Sequence, residues 1–126
     1  MDLYRQDLID HYKNPRNYGR DVDANVIMEL ENISCGDKIV LFIKLNKNKI
    51  ESIKFVGEGC AVAIASTSKL TESYVGKSIP EVLNLTAENF LEVHNIIVTI
   101  SRIKCATLGF ETLKKALKSV DPKQKI

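Results

Sequence analysis

Lys38-Ile39-Val40-Leu41-Phe42-Ile43-Lys44-Leu45-Asn46-Lys47-Asn48-Lys49-Ile50-Glu51-Ser52-Ile53-Lys54-Phe55-Val56 holds two runs rich in Ile, Val, Leu and Phe, each too short for a long helix. The polar connection Asn46-Lys47-Asn48 is short enough for a hairpin, which predicts antiparallel strands over 38–45 and 49–56. The stretch 26–31 has the same composition and predicts a third strand. Past Gly57 the pattern changes. Residues 60–74 are alanine-rich and place Ile64, Thr67 or Ser68, Thr71 and Tyr74 at steps of three and four before Gly76. That spacing predicts a helix with an unusually small-residue face.

Working outward, Leu3, Tyr4, Leu8, Ile9 and Tyr12 line one face of a predicted helix over 2–13, which Asn14-Pro15 stops. Residues 14–25 read as a flexible surface segment. Ser78-Ile79-Pro80-Glu81 has the form of a capping box with proline in the first turn, and Thr86 can cap a further helix through Phe90 and Val93. Ile96, Ile97, Val98 and Ile100 fit helix or strand equally, because β-branched residues are stiff in both. Phe110, Leu113, Leu117 and Val120 predict a closing amphipathic helix over 106–120, running into a short basic tail over about 120–126. No repeat, low-complexity tract or linker divides the chain, so a single domain over 1–126 is expected.

A chain of 126 residues buries roughly two-thirds of its unfolded surface without help from disulfides. Apolar residues make up 44% and charged ones 27%, with a net charge of +2. Near-balanced charge argues against nucleic acid as the main partner. The basic run Lys114, Lys115, Lys118, Lys123 and Lys125 reads as a solvated face rather than a binding arm. No apolar run reaches the roughly 18 residues that span a bilayer, and the N-terminus lacks a signal peptide's apolar stretch. A cytoplasmic protein without a membrane partner is expected. There, three cysteines point to metal binding or thiol chemistry rather than a disulfide framework.

Those cysteines are 25 and 45 residues apart, without a Cys-x-x-Cys knuckle. Each has small, polar or turn-forming neighbours: Ser34-Cys35-Gly36-Asp37, Gly57-Glu58-Gly59-Cys60-Ala61 and Arg102-Ile103-Lys104-Cys105-Ala106. Buried small hydrophobes are one reading of free cysteines. Glycines at 36, 57 and 59 count against it, because core packing does not require them and loops approaching a ligand do. Three thiolates and the Asp37 carboxylate complete a four-coordinate shell. Cys60 and Cys105 are both predicted at a helix start, where free N–H groups and the helix dipole lower a thiol's pKa. Lys104, Arg102 and Lys38 lie close enough in sequence to offset the anionic site. Lys104 itself is no ligand while protonated. His11, on a charged helix, reads as a surface or partner contact, and His94 as a structural residue or an outer-shell group. Tyr4, Tyr12 and Tyr18 fit a docking surface, and Tyr12 equally a core stripe.

Leu3-Tyr4-Arg5, Asp10-His11-Tyr12-Lys13-Asn14-Pro15-Arg16-Asn17, Cys35-Gly36-Asp37, Gly57-Glu58-Gly59-Cys60 with Ala63-Ile64-Ala65-Ser66, and Arg102-Ile103-Lys104-Cys105-Ala106 together resemble the IscU/SufU/NifU-type iron-sulfur assembly family. The resemblance runs in order from about residue 3 to residue 118. It implies an α+β domain, a small three-stranded antiparallel sheet packed against about five helices, with the site at one end. It further implies that Cys35, Cys60 and Cys105 hold a cofactor, that Asp37 joins them as a metal ligand, and that Cys105 or Cys35 accepts persulfide sulfur. The implied cargo is zinc in the protein as isolated and iron or a [2Fe-2S] cluster transiently. The implied partners are a cysteine desulfurase, downstream apo iron-sulfur proteins and a second copy in a homodimer.

Two departures from the family pattern matter. Lys104 stands where the IscU branch has histidine, and Val98-Thr99-Ile100-Ser101-Arg102 replaces Leu-Pro-Pro-Val-Lys, so heat-shock chaperone docking is doubtful. Lys104 and Gly57-Glu58-Gly59-Cys60 resemble the SufU branch, yet the spacing from Cys60 to Cys105 leaves no room for that branch's usual insertion. The expected function is a non-enzymatic scaffold and sulfur acceptor. Its alternatives are a zinc-dependent sulfurtransferase that carries no cluster and a structural zinc domain.

Overall fold

A computed structural model describes residues 3–120, the side chains of Leu3 and Tyr4 excepted. The basic tail with Lys123 and Lys125, and any docking role of the Tyr4 side chain, lie outside the described residues.

The chain runs α1 (Leu3–Lys13), β1 (Val26–Asn32), β2 (Asp37–Asn46), β3 (Lys49–Glu58), α2 (Ala61–Ser73), α3 (Ile79–Leu83), α4 (Ala87–Val93), a 3₁₀ turn (Ile100–Arg102) and α5 (Ile103–Lys118). The strands form one antiparallel sheet in the order β1-β2-β3. Lys47 and Asn48, at φ 53° and 66°, make a two-residue turn with both residues left-handed, the geometry that matches strand twist. One sheet face carries Ile39, Leu41, Ile43, Leu45, Ile50, Ile53 and Phe55, all fully or nearly buried, and α2 and α5 pack among the elements over it. The expected α+β fold is the one found.

The small-residue face of α2 has a packing reason. Ala63, Ala65, Ser66, Thr67 and Ser68 are buried, and α5 approaches so closely that a Cβ on Gly109 would stand 2.3 Å from Thr67 Oγ1. Ser78 caps α3 by accepting the Glu81 amide, and Thr86 and Asn89 cap α4 reciprocally. The ambiguous stretch is neither α-helix nor strand: residues 96–99 are irregular and Ile100 opens the 3₁₀ turn, with Ile96 buried while Ile97 and Ile100 face solvent. The closing helix begins at Ile103 rather than Ala106, which draws Cys105 into its first turn.

The segment after α1 runs over the edge of β3. Gly19 N–H donates to Phe55 O at 2.8 Å, Phe55 N–H donates to Asn17 O at 3.1 Å, and Tyr18 OH donates to Gly57 O at 3.0 Å. His11 departs from its expected surface position. It is buried, with Nδ1 2.7 Å from Ser68 Oγ, and that oxygen also accepts the Arg16 amide at 2.8 Å. His11 thus ties α1 to α2; burial, the largest cause, and the nearby Arg16 hold its pKa below the ordinary value. No helix among the described residues is long and apolar enough to cross a membrane.

Candidate metal centre

The sheet positions the site. β1 and β2 are joined at Asn32 and Asp37 by a short loop whose Cys35 and Gly36 amides both donate to Asn32 O, at 3.2 and 2.9 Å. Gly36 at φ 72° closes the bend and leaves Cys35 exposed. Asp37 opens β2 fully buried. The antiparallel register returns β3 to this end, since Lys38 pairs with Glu58. Gly59-Cys60 therefore emerges beside Asp37.

Three of the four proposed ligands share a small volume. Cys35 Sγ, a carboxylate oxygen of Asp37 and Cys105 Sγ all lie within 4.8 Å of one another. Cys60 touches the group through the carboxylate: its amide donates to Asp37 Oδ1 at 2.8 Å, and its thiol donates to Oδ2 at 3.8 Å. Asp37 thereby also fixes the start of α2, for which Cys60 is the N-cap without a side-chain cap of its own.

Both helix-start placements hold, but the lowered pKa expected for Cys105 does not. Cys105 is fully buried. Burial pushes its thiol up, and the Asp37 carboxylate and the Cys60 and Cys35 thiols push it further. Desolvation outweighs the helix dipole, whose effect is confined to the exposed end of the first turn. A bound cation reverses this balance, because it replaces the protons and stabilises thiolates directly.

Arg102 supplies positive charge at the site. Its guanidinium lies near enough to Cys105 and Cys60 to interact with them, and these neighbours, Cys105 first, raise its pKa. Lys104 is exposed in the first turn of α5. Lys38 turns instead to Glu29, 3.9 Å away.

Gly57 corrects another expectation. It belongs to β3, and a Cβ there would stand 2.7 Å from Ile39 Cδ1 and 2.9 Å from Lys38 O, so sheet packing does require it. His94 contacts aromatic rings, at 4.9 Å from Phe90 and 5.9 Å from Tyr74. Tyr12 is half exposed rather than core. It lines a groove beside the site that the sequence reading missed. The signal was the apolar stripe of α1, whose exposed members a periodicity argument assigns to the core by default.

The donor set fits zinc or iron held by sulfur: soft thiolates suit both, with one carboxylate as the odd ligand. Buried Asp37 and the guanidinium against two thiols match a centre that carries excess negative charge when loaded.

The sequence pattern described as "NifU-like N terminal domain" matches residues 3–126. A zinc-dependent sulfurtransferase, SufU, of Bacillus subtilis (strain 168) is 36% identical over 91% of this chain and 89% of its own length. The iron-sulfur cluster assembly scaffold protein IscU of Aquifex aeolicus (strain VF5) is 40% identical over 96% of this chain and 78% of its own. A crystal structure of a nitrogen-fixing NifU-like protein (N-terminal) from Brucella abortus superposes with a TM-score of 0.79 at 12% identity, covering 97% and 96% of the two chains; it speaks to the fold. The SufU alignment runs 132 positions, longer than this whole chain of 126 residues, so that relative carries inserted residues that are missing here.

Proposed function

The chain belongs to the NifU-like N-terminal domain family of iron-sulfur cluster scaffolds, and we propose that it accepts sulfur from a cysteine desulfurase and holds a metal ion or nascent cluster through Cys35, Asp37, Cys60 and Cys105. The observation that carries this reading is the convergence of Cys35, Asp37 and Cys105 within 4.8 Å, with Cys60 on the same carboxylate. The loaded cluster is cargo, passed to downstream apo iron-sulfur proteins.

Exposure supports Cys35 as the first sulfur acceptor, since Cys105 is fully buried. Its thiolate attacks the outer sulfur of the desulfurase persulfide. One S–S bond forms as the old one breaks, the desulfurase cysteine leaves as thiolate, and nothing is oxidised or reduced overall. Asp37, an oxygen donor among sulfurs, is the ligand easiest to displace when the site opens. Lys104 and Arg102 offset its negative charge.

A zinc-dependent sulfurtransferase is the second reading, favoured by the 36% identity to SufU. The missing insertion weighs against it.

Cobalt titration tests the ligand set, because sulfur-to-cobalt charge transfer counts thiolates. Serine at position 35, 60 or 105 is expected to reduce that absorbance and to weaken binding by about tenfold or more, given that even outer-shell changes cost roughly 10–100-fold. A cysteine whose replacement changes neither is not a ligand.

A further inference from the structure

Beside the thiols lies a groove of about 530 Å³, within the range of ligand-binding clefts. Leu8 and Ile9 of α1, Val62 and Ala65 of α2, and Val98 of the irregular segment form its walls. Ile9 and Tyr12 remain 45% and 47% exposed along it, so the apolar face of α1 is only half covered by its own chain. The charged residues lining it, among the described residues, are Arg5 and Arg102, both cations, with no acid. Arg102 has two roles: it lines the groove, and its charge interacts with Cys105 and Cys60. Ala61, also in the lining, directly follows Cys60.

We propose that this groove docks an extended apolar segment of a partner protein that carries a carboxylate, and that this carboxylate draws Arg102 off Cys60 and Cys105. The volume takes a few side chains of an extended segment more readily than a helix about 10 Å across. Apolar walls provide contact area, and the Arg102 guanidinium selects a carboxylate through paired, charge-assisted hydrogen bonds. One guanidinium cannot serve thiols and carboxylate fully at once. Occupying the groove therefore strips the anionic site of its nearest counter-charge and loosens what it holds. That second half rests on the metal-holding reading above, whereas docking does not.

The test uses the full chain, metal-free, and a phage-displayed library of random hexapeptides, followed by fluorescence anisotropy with a labelled selected peptide. Selected sequences are expected to combine Leu, Ile, Val or Phe with Asp or Glu. Arg102→Gln should weaken binding by about tenfold, the scale of a lost hydrogen bond to a charge, and Arg102→Lys by less. Ile9→Glu, at a half-exposed position, should weaken it comparably while circular dichroism stays unchanged.

In the zinc-loaded protein, bound peptide should speed zinc loss to a chelating dye, and Arg102→Gln should lose zinc fast with or without peptide. Selection without acidic residues, or affinity unchanged in both variants, overturns the docking. So does dodecanoate binding with no peptide selected, or dimerisation abolished by Ile9→Glu with no peptide selected. Peptide binding that leaves zinc loss unchanged overturns the coupling. A chain that binds the peptide but no zinc contradicts the metal-centre reading and leaves the docking supported.

Discussion

Asp37 is gripped from two sides. Its Oδ1 accepts the Cys60 amide, and Gly59, at φ 129°, passes so near that a Cβ would stand 2.2 Å from that oxygen. Gly36 on the other flank is also left-handed, at φ 72°, but faces open space. The two glycines therefore separate backbone strain from site disruption. Gly36→Ala should cost about 1–2 kcal/mol for the left-handed backbone and leave cobalt affinity close to wild type. Gly59→Ala should add the displacement of Asp37, cost about 3 kcal/mol or more, and abolish tight cobalt binding. Urea titration and cobalt titration read the two effects. Cys35 and Asp37 could be singled out as candidates from the turn around Gly36, and the structure brings them within 4.8 Å of Cys105. The burial of Asp37 and Cys105 was not legible in the sequence, since it comes from α2 and α5 closing over the sheet's end, a long-range event that no local pattern encodes. The wrong pKa direction for Cys105 follows from that omission.

Among the elements, α4 and α5 meet through rings. Phe90 stacks on Phe110 with centroids 5.4 Å apart, and His94 at the end of α4 lies against Phe90. His94 Nε2 is buried with no hydrogen-bond partner among the described residues. Burial foremost, with Lys69, His11 and Lys77 adding to it, lowers its pKa from 6.5 to about 4. An unfolded histidine takes up its proton near 6.5, so between these values the unfolded state binds the extra proton. Stability is complete above pH 6.5 and falls as pH drops toward 4. His94→Phe removes both the proton and the orphaned nitrogen. It should flatten the fall in urea midpoint between pH 7 and pH 5 and equal or exceed wild type at pH 7. Some slope should persist from His11, whose pKa is also depressed. A steeper slope in the variant would contradict this account of His94. Element types were readable from composition, hairpin length and capping residues. The start of α5 was not, because Ile103 and Lys104 carry no cap signal and Arg102 caps nothing with its side chain.

At the scale of the whole molecule, the hairpin register and the close α2–α5 contact bring three loops or helix starts, far apart in sequence, to one end. That convergence is what the family resemblance implied and spacing alone could not establish. The groove belongs to this scale as well, since α1, α2 and the segment before α5 form it jointly. The central claim is that the convergent residues carry a cluster. Anaerobic reconstitution with iron, cysteine and a cysteine desulfurase, followed by visible absorption and iron analysis, tests it most directly. A stable chromophore at about two irons per chain or per dimer is predicted. Tightly held zinc and a persulfide without any chromophore would contradict it.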